Sequence, residues 1–184
     1  MTVAKKNDRR IDRTRQQLFA AFAVLVLKRE YDRMTVADIA QQANVGRSTF
    51  YEHFESKDDI LEQSLSRIFA ALADTVGGNV DLETLRFVVD HLWENRKLAS
   101  AMIVGSTRSL TLRMLSNLFE SRLRSRVDGA RRGVPLRMIA DHLAGAQLAL
   151  LAAWFENRTP CGSEQICRAL NASANASASA LLAI

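Results

Sequence analysis

The chain has 184 residues, 48% of them hydrophobic and 24% charged, which suits one domain or two small ones with a real buried core. Two cysteines exclude a disulfide framework. A formal net charge of +5 admits nucleic acid as a partner without requiring it. With only two prolines and eight glycines, the expected architecture is long helices with few sharp turns. The amino end is charged and lacks an apolar signal core, and the longest apolar run, Leu148 to Phe155, is too short for a membrane span. These features predict a cytoplasmic protein that does not enter a membrane.

Residues 1–33 hold nine Lys/Arg against four Asp/Glu, a surplus equal to the net charge of the whole chain. Residues 1–8 read as a mobile polar tail. From Arg10 the pattern turns helical, with Ile11, Leu18, Phe22, Leu25 and Val26 on one face, and the helix is expected to stop near Glu30 or Tyr31. Thr35 is a good N-cap, and Asp38 three residues on completes a capping-box pattern. Val36, Ile39, Ala40 and Ala43 mark the buried stripe of a short helix. Ser56 opens another helix, whose apolar positions from Ile60 to Val76 sustain about five turns before Gly77-Gly78-Asn79.

Asp81 caps a helix to about Asn95, and one or two shorter helices cover Lys97 to Thr107. A long helix runs from about Ser109 to Val127. Pro135 stands at the start of the next, which ends near Asn157, and Ser163 caps the last. No segment alternates like a strand. The fold class is therefore all-α: an N-terminal three-helix helix-turn-helix domain over 9–55, a connecting helix over 56–78, and a helical domain over 79–184.

The stretch from Val36 to Phe54 contains two helices too short to stand alone, joined at Asn44-Val45-Gly46. That is the pattern of a helix-turn-helix, which packs as a unit against a third helix. Ala40 is small where the second helix must come close. Asn44 sits where the turn needs a left-handed residue, a conformation Asn tolerates. Val45 and Phe50 point into the core. Helical spacing then turns Arg47 and Tyr51 outward on a shared face, with Ser48 and Thr49 near the helix start. Arginine suits guanine edges, and serine and threonine are adaptable. Tyr51, Lys57 and Thr35 suit phosphate contacts.

Residues 46–60, GRSTFYEHFESKDDI, resemble the recognition region of TetR-type transcriptional regulators, and residues 35–40, TVADIA, are similar to the first motif helix of that family. The resemblance covers roughly residues 10–62. It implies an all-helical homodimer with an N-terminal DNA-binding domain and a C-terminal domain that dimerises and binds a small effector. By that resemblance Thr35, Arg47, Ser48, Thr49, Tyr51, His53 and Lys57 face a double-stranded operator. His53 reads as a phosphate ligand or, slightly less favoured, as a helix-end packing residue.

The second half offers large or adaptable side chains, Phe87, His91, Trp93, Met102, Met114, Phe119 and Trp154, as candidates to line an effector cavity. The Ala144-to-Phe155 segment is apolar on nearly every side, which demands burial all round. Leu143, Gln147, Leu150, Leu151, Ile166, Leu170 and Leu181 are therefore expected in a four-helix interface between two copies. Asp90-His91 and Asp141-His142 look like catalytic pairs, but helix neighbours do not face one another. No enzymatic activity, metal or cofactor is expected; a redox role for Cys161 or Cys167, six residues apart across a helix start, stays open, with no sign in the sequence of a lowered thiol pKa. The leading expectation is a dimeric repressor released from a near-palindromic operator by a small molecule. The alternative is a ligand-independent regulator whose second domain only dimerises or binds a protein.

Overall fold

In the computed structural model the described residues are 2–76, 80–127, 133–156 and 160–183; of residues 2–9 only the backbone is considered. The described residues form helices and turns without a strand. Helix α1 spans Thr2–Lys28, followed by a 3-10 turn at Tyr31–Arg33. Then come α2 (Val36–Gln42), α3 (Arg47–Tyr51) and α4 (Lys57–Asp74). The remainder is α5 (Leu82–Glu94), α6 (Arg96–Ile103), α7 (Arg108–Arg124), α8 (Leu136–Phe155) and α9 (Ser163–Leu182).

The chain divides into two compact units, Met1–Ser64 and Leu65–Ile184, so the boundary falls inside α4. Three sequence expectations need correction. Helix α1 begins at Thr2, where a mobile tail was expected over 1–8. No glycine or proline interrupts that stretch, and its lysines and arginines are good helix formers. Pro135 is the N-cap of α8 rather than its first helical residue, and Gly162 rather than Ser163 caps α9. Gly77-Gly78-Asn79 and Asn157 lie outside the described residues.

In the first unit Leu18, Phe22 and Leu25 of α1 are buried together with Tyr31, Met34, Ile39, Ala40, Phe50, Phe54, Ile60 and Leu61. Helix α2 packs against both α1 and α3. Two caps fix the short elements. The Thr35 hydroxyl accepts the Asp38 amide at 3.2 Å, while the Asp38 carboxylate accepts the Thr35 amide at 2.9 Å. Ser56 accepts the Asp59 amide at 3.1 Å and so begins α4.

In the second unit α8 is the central helix. It packs most extensively on α7, then on α9, and also touches α6. Ile139, Ala140, Leu143, Ala144, Leu148, Leu151 and Trp154 are buried on it, whereas Met138, Asp141, His142, Ala149 and Ala153 are exposed. Its length and mean hydropathy of 1.3 would suit a membrane span, but half of that window is buried inside the chain, as in a core helix. The apolar character that seemed to require a second copy is thus largely met by α7 and α9 of the same chain. Buried Gln147 donates to the Leu170 carbonyl at 2.8 Å, and its Oε1 has no hydrogen-bond partner among the described residues.

Candidate nucleic-acid interface

The recognition surface starts from one backbone conformation. Asn44 has φ of 55°, the left-handed turn residue between α2 and α3. The Val45 amide donates to the Ala40 carbonyl at 3.0 Å and closes the turn. Gly46 in extended conformation then caps α3.

Within α3, Phe50 is fully buried while Tyr51 is 58% exposed. The Phe50 ring meets Tyr51 edge-on at 5.6 Å and lies 5.6 Å from Phe54. Phe54 in turn meets Phe19 of α1 edge-on at 5.2 Å. The inward aromatic cluster fixes the helix about its own axis, and this leaves Arg47, Ser48 and Tyr51 in solvent. Thr49 is half-buried. His53 is also half-buried, with its ring 6.4 Å from Phe54, so it packs at the helix end.

Thr35 and Lys57 are engaged differently from the other candidates. The Thr35 hydroxyl donates to Asp38 at 2.7 Å, so its proton serves the capping box. The hydrogen bonds from Thr35, with Arg29 at 2.9 Å adding charge, hold the Asp38 carboxyl below the usual carboxylate range. The Lys57 ammonium donates to the Tyr31 carbonyl at 3.0 Å, reaches the Asp32 carbonyl at 3.5 Å, and lies 4.5 Å from the Tyr31 ring centre. The Tyr31 hydroxyl lies 2.9 Å from the Lys57 carbonyl and 2.5 Å from the Asp58 carboxylate. Burial, followed by the Asp58 hydrogen bond, pushes the Tyr31 phenol well up, so it remains a donor. Sequence reasoning missed Tyr31. Its only signal was an aromatic residue just past the end of a basic helix.

The effector candidates do not converge. Phe119, Trp154, Met102 and Met114 are core residues, while Phe87 is 73% exposed and His91 is exposed. Trp93 stacks on Trp154 at 4.7 Å, and the Trp154 indole donates to the Cys161 carbonyl at 2.8 Å. A groove of about 410 Å³ lies instead between α8 and α9, lined by Val134, Met138, Ile139, His142, Ser177, Ala180 and Leu181. Of the expected interface residues, Leu143, Gln147, Leu151, Ile166 and Leu170 are buried within the chain, and Leu150 and Leu181 are half-buried. The first five therefore belong to the internal packing of α8 and α9 with their neighbours.

Asp90 pairs with Arg86 at 3.8 Å and Asp141 with Arg137 at 3.0 Å, so each aspartate turns to an arginine one turn earlier rather than to its neighbouring histidine. Burial pushes the Cys167 thiol up, which disfavours the reactive thiolate. Among the described residues no group of three His, Cys, Asp or Glu could hold a metal ion.

Residues 18–63 match the bacterial regulatory proteins of the tetR family. An uncharacterized HTH-type transcriptional regulator, YxbF, of Bacillus subtilis strain 168 is 39% identical over 71 residues, 38% of this chain and 19% of that protein. A second uncharacterized HTH-type regulator, from Haemophilus influenzae, is 30% identical over 82 residues, 44% of this chain and 43% of its own length. The matched segments thus span less than half of these curated relatives. Among solved structures, a TetR transcriptional regulator from Streptococcus agalactiae superimposes with a TM-score of 0.60 at 26% identity, covering 93% of this chain and 98% of that one.

An all-α chain with a buried-aromatic helix-turn-helix at its N-terminal end defines the class: a helix-turn-helix regulatory protein. The likeness extends from the 18–63 match to a solved structure aligned along nearly the whole chain. Residues 18–63 carry the helix-turn-helix of the tetR family, and the chain has the fold of a TetR transcriptional regulator.

Proposed function

We propose that the protein is a DNA-binding repressor that acts as a homodimer on a near-palindromic operator. The observation that carries this reading is the division of α3, with Phe50 inside and Arg47, Ser48 and Tyr51 outside. Arg47 and Ser48 lie at the start of the helix, the end a recognition helix presents to base edges in the major groove. Tyr51, one turn on from Arg47, suits a phosphate oxygen, and such contacts position the helix without specifying sequence. Thr35 and Lys57 orient the motif rather than read it, because their polar atoms already serve internal partners.

The proposed dimer face is the outward stripe of α8: Met138, His142, Ala146, Ala149 and Ala153, with the α8–α9 groove beside it. Small residues there allow close helix approach. Two copies would present two recognition helices to half-sites about 34–36 Å apart. The operator places the regulator in the cytoplasm.

Release by a small effector remains part of the proposal. A second reading, a regulator whose C-terminal unit only dimerises or binds a protein, is favoured by the tight packing of the expected cavity residues. The experiment is selection of bound duplexes from a random library by the full chain, followed by anisotropy titration of wild type and Tyr51→Ala. Enrichment of a two-fold symmetric site, bound at least about tenfold more weakly by Tyr51→Ala, supports the reading. Equal binding by both proteins overturns it.

A further inference from the structure

Four side chains around the junction of α3 and α4 close a ring. The Arg15 guanidinium of α1 donates to Gln63 Oε1, and Gln63 Nε2 donates to Asp59 Oδ1 at 2.8 Å. Asp59 Oδ2 accepts the Glu55 amide at 2.9 Å. The adjacent Phe54 amide donates to the Phe50 carbonyl at 2.9 Å, and the Phe54 ring returns the circuit to Arg15, 5.7 Å from its centre. Asp59 thus does more than cap its own helix. Its amide is received by Ser56, while its carboxylate reaches one residue further back and holds the chain leaving α3.

We infer that Arg15, Gln63 and Asp59 are positioning residues that fix the angle between the recognition helix and α4. This rests on the DNA-binding reading above. Phe50 and Phe54 set the rotation of α3 about its own axis, but burial of apolar rings does not by itself fix the angle of α3 to α4. Directional hydrogen bonds at Glu55, joined through Gln63 to a different helix, remove that freedom. Arg15 supplies the link from both sides at once, by hydrogen bond to α4 and by cation–π contact to Phe19 at 5.6 Å and Phe54. A tilt of α4 is therefore delivered to α3 through the Glu55 amide rather than absorbed in the connecting loop.

The test uses the full chain with Gln63→Met, which keeps side-chain length and removes the hydrogen bonds to Arg15 and Asp59, alongside Arg15→Met and the double variant. The first readout needs no DNA: amide hydrogen exchange at Phe54 and Glu55. Exchange there should rise at least about fivefold in Gln63→Met, with α2 amides unchanged. The second readout is anisotropy on the selected duplex and on a non-cognate duplex across a salt series. Gln63→Met should lose about tenfold in cognate affinity while keeping its non-cognate affinity and salt slope, and the double variant should lose no more than the worse single.

Unchanged exchange at Glu55 overturns the inference whether or not any duplex binds. Additive losses in the double variant, or a salt slope reduced by about one in Gln63→Met, also overturn it. Failure of wild type to bind any duplex removes the DNA-binding reading but leaves the exchange result to decide the positioning role.

Discussion

Lys57 and Tyr31 hold one another twice, through the ammonium on the Tyr31 carbonyl at 3.0 Å and through the same ammonium 4.5 Å from the Tyr31 ring centre. The tyrosine hydroxyl adds the Asp58 carboxylate, so the turn before α2 is fastened to the first turn of α4. Tyr31→Phe removes a hydrogen bond to a charged group and should lower unfolding free energy by about 1–3 kcal/mol, read by urea titration. Lys57→Met should lower the melting temperature and leave the salt dependence of DNA binding unchanged. A Lys57 that bound phosphate would instead lower the slope by about one.

Asn44 and the Phe50–Tyr51 pair give separable outcomes for folding and recognition. Asn44→Ala removes the short polar side chain that makes the left-handed region tolerable and should cost about 1 kcal/mol, while Asn44→Gly, which removes the β-carbon itself, should be nearly neutral or stabilising. Phe50→Ala empties a fully buried site and should cost about 3–5 kcal/mol. Tyr51→Ala should melt like wild type, and Arg47→Ala should relax discrimination at one base position by about 1–3 kcal/mol. Thermal melting beside a mutant-operator titration checks all five.

The Thr35–Asp38 capping box has an acid signature. The folded carboxyl of Asp38 titrates below its unfolded value of about 3.9, so its stabilising contribution is complete above about pH 4. It is lost as pH falls through the depressed folded value, because protonation then favours the unfolded chain. Thr35→Ala removes the hydrogen bonds that cause the depression, so the variant should be less stable at neutral pH and show a shallower acid loss. Urea midpoints measured between pH 2.5 and 6, values chosen to straddle the roughly 3.9 of a free carboxyl, test the sign.

The α8 stripe distinguishes an outer face from a core. Met138 is 61% exposed and Ala149 is also exposed, so Ala149→Arg should leave melting at low concentration unchanged and shift a dimer to monomer in sedimentation. Leu143→Ala, fully inside the chain, should instead cost about 2–5 kcal/mol. An Ala149→Arg protein that remains dimeric would move the interface elsewhere.

Local chemistry made much of the fold legible. Asn44, Thr35, Ser56 and Asp81 each satisfy a backbone demand within three residues, and such demands are written in the adjacent sequence. The inward direction of Phe50 follows from helical spacing in the same way. What was not legible depends on partners far along the chain. Lys57 looks like a free surface cation until the carbonyls of Tyr31 and Asp32, some 25 residues earlier, come to meet it. Leu143 and Leu170 look like surplus apolar area until α7 and α9 enclose α8. Arg15 and Gln63, separated by 48 positions, give no sequence hint of their contact.

The aromatic residues are partitioned in a way that makes the molecule its own optical instrument. Both tryptophans, Trp93 and Trp154, stack together in the unit after Leu65, and both tyrosines, Tyr31 and Tyr51, lie before it. Red-edge excitation therefore illuminates only the C-terminal unit, and tyrosine emission is confined to the N-terminal one. A denaturant titration followed at the two emission bands reports, without any label, whether the halves melt together or in sequence.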